Sequence, residues 1–168
     1  MSRPKQTGFT LVEILLYIAI ASAFLLTLSS FVILSFRSRA EAQVIAEVEQ
    51  QGEKLMQTIT ITARSASSIT TPIAGTSGST LILATSSGST NPTTFSLSGG
   101  VISITEGVST AVALNNSQVT VSSLTFTNLS RTGTPGVVRI QFTLSYNGNT
   151  SKREYAYSKV FYGTASLR

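Results

Sequence analysis

Residues 8–36 read GFTLVEILLYIAIASAFLLTLSSFVILSF, an almost unbroken apolar run that carries a single charge, Glu13. A helix needs roughly 20 apolar residues to cross the hydrocarbon core of a bilayer, and this run exceeds that length. Within lipid every backbone N–H and C=O must be paired locally, which a continuous helix achieves. An acidic side chain at mid-span costs roughly 2.5–3.5 kcal/mol on insertion scales, less near an edge, and such residues usually carry a function. No Lys or Arg lies inside the run. The counter-charge for Glu13 must therefore come from outside this stretch.

Ahead of the run lies Met1 to Gly8, MSRPKQTG, a short leader made basic by Arg3 and Lys5 and free of acids. One reading is a secretory signal peptide with an A-x-A cleavage pattern at Ala21-Ser22-Ala23. Against it, Glu13 would sit inside the hydrophobic region, and apolar residues continue from Phe24 to Phe36 past the cut. A second reading is a plain signal anchor, with Arg3 and Lys5 holding the N-terminus in the cytoplasm. Arg37 and Arg39 on the far side weaken that asymmetry, and the anchor leaves Glu13 without a role.

The junction Gly8-Phe9, followed by Thr10-Leu11-Val12-Glu13 and an apolar helix, resembles the class III signal of type IV pilins and of the pseudopilins of type II secretion. The resemblance covers residues 1–36 most closely. It implies that a prepilin peptidase cuts after Gly8 and N-methylates Phe9, while the apolar run is retained as the assembly element. Implied partners are that peptidase, other pilin or pseudopilin subunits, an inner-membrane assembly platform and membrane lipid. The implied location is a single-pass inner membrane protein with its C-terminal part outside the cytoplasm, and then an extracytoplasmic filament. Cleavage would free an α-amino group on Phe9 at the membrane depth of Glu13. A neighbouring subunit displaced by about one helical turn could present that cation to the carboxylate, and charges attract far more strongly in low dielectric than in water.

Beyond the run, residues 37–68 lack Pro and change from all-round apolar to one-sided. Val44, Ile45, Val48, Leu55, Met56 and Ile59 recur at spacings near three and four, so the helix is expected to continue as an amphipathic one. Gly52 within it marks a bend or a close contact. Residues 69–168 read as a globular head of short antiparallel strands at 80–85, 93–97, 101–105, 118–127, 137–146 and 153–162. Gly99-Gly100 and Asn147-Gly148 are expected as tight turns, and Ser122-Ser123 as a bulge where the apolar phase shifts. The expected fold class is α+β and pilin-like: a leader at 1–8, a membrane-spanning helix at 9–36, its amphipathic continuation at 37–68, and a β-sheet packed on that second half. The amphipathic stripe is expected to pack against this chain's own sheet.

Composition narrows the function. Of 168 residues, 42% are hydrophobic and 11% charged, too apolar and too sparsely charged for a disordered chain. All seven acids are glutamates, and Cys, His and Asp are absent. The usual general bases, thiolate nucleophiles and metal-ligand clusters are therefore missing, so no catalytic residue, metal or cofactor is expected. The remaining Ser-x-x-Lys pattern, Ser2 to Lys5, lies in the leader, where no folded site can form. A pI near 9.9 reflects sparse charge more than a basic face. Lys152-Arg153, with Lys159 and Arg168 in the same region of sequence, keeps nucleic-acid contact as a minor possibility. Asn115, Asn128 and Asn149 head glycosylation sequons in a chain where chance matches are expected.

The segments VTVSSLTFTNLS and GVVRIQFTLSYNG resemble the strand region of J/W-type minor pilins. The family's common mid-span Pro and the C-terminal Cys pair of many major pilins are missing. The function implied is a structural subunit, minor pilin or pseudopilin, of a type IV pilus-like filament. The alternative is a signal-anchored exported β-domain that binds a target and never polymerises.

Overall fold

The computed structural model describes residues 10–131, 136–148 and 152–168. One helix, α1, runs from Leu11 to Ser65, and the chain divides into two compact units between Ala40 and Glu41. In the first unit Leu11, Ile18, Phe24, Phe31 and Phe36 are all exposed. The helix is long and apolar enough to cross a membrane, with an 18-residue window of mean hydropathy 2.4. Three of its hydroxyls bond back onto their own backbone: Ser22 to the Ala19 carbonyl at 2.9 Å, Thr27 to Phe24 at 2.8 Å and Ser30 to Leu26 at 3.0 Å. These side chains thus ask nothing of the surrounding lipid.

In the second unit α1 buries Val44, Val48, Gly52, Leu55, Ile59 and Ala63, a single stripe at steps of three and four residues. The strands that cover it are β1 Ser68–Thr71, β2 Ser77–Gly78, β3 Leu81–Ala84, β4 Thr93–Ser98, β5 Val101–Glu106, β6 Val112–Ala113, β7 Val119–Asn128, β8 Val137–Tyr146 and β9 Ser158–Ser166. They form two antiparallel sheets, β1-β3-β4-β5-β6 and β2-β7-β8-β9. Phe95, Leu81, Leu83 and Ile102 from the first sheet join Phe126, Ile140, Phe142 and Leu144 from the second, with the helix stripe, in one core. The architecture is α+β and pilin-like, and the stripe packs on this chain's own strands.

Alternation places each buried side chain. In β8, Val138, Ile140, Phe142 and Leu144 point inward while Arg139 and Gln141 are exposed. In β7 the register slips between Val121 and Ser123, so the buried set passes from Val119 and Val121 to Leu124, Phe126 and Asn128. Ser122 is the bulge residue, as the phase shift predicts. Gly99 and Gly100, with φ of 57° and 79°, close the β4–β5 hairpin, a conformation that L side chains resist. Gly100 also joins the sheets, because its carbonyl accepts the Val121 N–H at 2.9 Å.

Five expectations change. Two sheets stand where one is expected, since the ladder ends at β6 on one side and begins again at β2. The helix stops at Ser65 because Ser68–Thr71 extends to pair with β3. The stretch between residues 70 and 80, where no strand is expected, contributes part of β1 and all of β2. Asn147-Gly148 does not form a tight hairpin turn: Asn147 instead donates its N–H to Gln118 O at 2.7 Å and its side-chain amide to Ser117 O at 3.0 Å. The chain returns through a 3-10 turn at Arg153–Tyr155, and β9 starts at Ser158 rather than at 153.

Candidate processing and assembly site

Glu13 lies in the first turn of α1. Its N–H donates to the Thr10 carbonyl at 3.1 Å and to Thr10 Oγ1 at 3.4 Å, so Thr10 caps the helix start. The spacing Thr10-x-x-Glu13 is the capping-box pattern, a signal present in the sequence itself. A carboxylate in the first turn also meets the positive end of the helix dipole. One turn further on, the Tyr17 hydroxyl donates to Glu13 Oε1 at 3.4 Å. Tyr17 was not singled out by charge or motif, yet its i+4 spacing to Glu13 foretells this contact. Gly8, Phe9, Arg3 and Lys5, the expected cleavage, methylation and leader residues, lie outside the described residues.

Further along α1, glutamates tie the helix to the head. Glu47 Oε1 accepts from Asn116 Nδ2 at 2.7 Å and from Gln51 Nε2 at 3.2 Å. Glu49 pairs with Lys159 of β9 at 2.7 Å, both side chains 42% exposed. The hydrogen bond that Lys159 donates to Glu49 holds its ammonium above its ordinary pKa, against opposing desolvation and with weaker attraction from nearby negative groups. Lys159 also sits 5.4 Å from the centroid of the Phe161 ring. That ring occupies the space a side chain at Gly52 would need, and Met56 occupies the space beside Gly163. Gly52 is a site of close contact.

Among the described basic residues of the C-terminal region, Lys159 and Arg168 do not converge. Lys159 is committed to Glu49, and Arg168 borders a groove with Ile61, Arg64 and Ser65. Nine residues of extended chain separate the two, about 30 Å along β9 and its continuation. Lys152 is exposed, and the Arg153 side chain lies outside the described residues. Two of the three sequon asparagines are structural. Asn115 is buried, with Oδ1 accepting the Ile102 N–H at 2.8 Å and Nδ2 donating to Val119 O at 3.1 Å. Asn128 is buried and donates to Pro72 O at 2.7 Å. Asn149 is outside the described residues.

A family model described as the prokaryotic N-terminal methylation motif matches residues 3–29. None of the curated proteins and none of the solved structures matches the chain. The matched segment spans the Gly8-Phe9 junction, Glu13 and the apolar part of α1 as far as Ser29. With one long N-terminal helix, apolar at its start, and an antiparallel head, the motif makes the chain similar to type IV pilins and pseudopilins and indicates a membrane-anchored protein processed by prepilin peptidase.

Proposed function

We propose that the chain is a minor subunit, pilin or pseudopilin, of a type IV pilus-like filament. The leader 1–8 is cut off after Gly8, Phe9 is N-methylated, and the helix from residue 9 to 36 first anchors the subunit and then builds the filament. The head, from residue 69 onward with the second half of α1, projects on the non-cytoplasmic side. The observation that carries this reading is Glu13: one half-buried carboxylate, in the first helical turn, in a segment whose large apolar side chains are otherwise exposed. An isolated charge is costly in lipid, and an amine freed at Phe9 of a neighbouring copy would relieve it only after processing. A minor role is supported by the absence of Cys and by strand segments similar to J/W-type subunits.

Expression with and without the membrane-resident peptidase, followed by sequencing of the mature N-terminus, tests the reading. A start at methylated Phe9 is expected. A start at Phe24 would mean ordinary secretion, and a retained Met1 or Ser2 would mean a signal anchor that does not polymerise. Glu13→Ala is expected to leave cleavage intact and to lower filament incorporation by about tenfold or more. Normal incorporation of that variant would remove the charge pairing.

A further inference from the structure

Glu13 has a second neighbour that the filament reading does not use. Side chains on a helix lean toward its N-terminus, so residue i+4 overlies residue i, and the Tyr17 hydroxyl reaches Glu13 Oε1 at 3.4 Å. That separation is longer than the 2.5–2.7 Å of a charge-assisted O–H···O bond, so a small side-chain rotation closes it, and low dielectric favours closure. An ionised carboxylate accepts at two oxygens with about four lone-pair sites, so one phenol proton leaves room for another donor.

We propose that Tyr17 is a positioning residue for assembly: its hydroxyl holds Oε1 of Glu13 and leaves Oε2 for the α-amino group of Phe9 in a neighbouring copy. The inference rests on the Glu13 pairing proposed above. Before assembly the phenol is the carboxylate's donor within the span, lowering the cost of keeping it charged in lipid. During assembly it fixes the carboxylate's rotamer, so that less side-chain freedom is lost when the amine arrives. The competing role for an aromatic at this position is packing or anchoring at the bilayer interface, which needs the ring more than the hydrogen bond to Glu13.

A double-mutant cycle separates these roles. The full-length chain, with residues 1–8 removed by an engineered protease site, is reconstituted in phosphatidylcholine vesicles. Self-association is read by energy transfer between copies labelled at Ser86→Cys in an otherwise cysteine-free chain. Tyr17→Phe is expected to raise the density for half-maximal association about tenfold. Glu13→Gln should raise it further, and adding Tyr17→Phe to Glu13→Gln should change nothing more. If Tyr17→Phe associates like the unaltered chain while Glu13→Gln is impaired, the positioning role is wrong and the pairing of Glu13 stands. An equal loss from Tyr17→Phe in both backgrounds would give the hydroxyl a role that does not pass through Glu13 and overturn the proposal. If Glu13→Gln associates normally, the pairing itself falls, and the role of Tyr17 with it.

Discussion

Two residues carry more of the head than their size suggests. Asn115 satisfies the Ile102 N–H and the Val119 carbonyl from inside the core, so its amide substitutes for a stretch of missing ladder beside β5. Asn115→Ala leaves buried partners unpaired and should cost about 2–4 kcal/mol of head stability, read by urea unfolding. Gly52 lies against the distal edge of the Phe161 ring. Gly52→Ala gains about 1 kcal/mol of helix propensity yet overpacks by about 1–3 kcal/mol, so a net loss is expected. Adding Phe161→Leu should recover part of it; a loss unchanged by that second substitution would point away from the ring. At this scale the sequence showed a glycine inside an apolar stripe, which already suggests a close approach. It could not show the partner, because Phe161 stands more than a hundred positions away in an alternating strand with no feature of its own.

At the scale of elements, long patterned segments were readable and short ones were not. The alternation of β8 and the phase slip of β7 follow directly from side-chain periodicity, because burial on one face leaves a residue-by-residue trace. β2 and β6 have two residues each and hold their shape through pairing alone, so Ser, Gly, Val and Ala at those positions carry no pattern. β9 was placed too early because Arg153–Tyr155 looks strand-like until the 3-10 turn is seen. The bridge from β9 to α1 gives an element-level prediction. Lys159 is held above its ordinary value of 10.5, so its contribution to stability is complete below that value and is lost as pH rises through the higher folded-state value. Denaturant unfolding from about pH 9 to about pH 11 should show the head losing stability faster than a Glu49→Gln variant. Parallel curves would mean that the pair contributes nothing. The difference should also shrink in high salt, since both groups are partly exposed.

For the whole molecule, the N-terminal run was the most readable feature, and it settled the class of fold before any strand was placed. Of the candidate site, Glu13 and the Gly8-Phe9 junction were apparent from charge and motif, whereas Tyr17 had to be seen beside Glu13. The division at Ala40/Glu41 leads to a test at this scale. A fragment from Glu41 to Arg168 contains the buried helix stripe and both sheets, so it should fold as a soluble protein with one cooperative thermal transition. The full chain, with its exposed apolar half, should require detergent or membrane. Aggregation of the fragment would mean that the first forty residues contribute to the head's core.

The bridge between Glu49 and Lys159 joins positions 110 residues apart. A chain delivered N-terminus first therefore presents one wall of its core long before the last strand exists to cover it. Until β9 emerges, the Gly52 face of the helix stays bare, and the subunit is open to capture or degradation at that face. Completion of synthesis thus becomes a timing event. The head cannot seal itself over its own helix until nearly all of the chain has arrived.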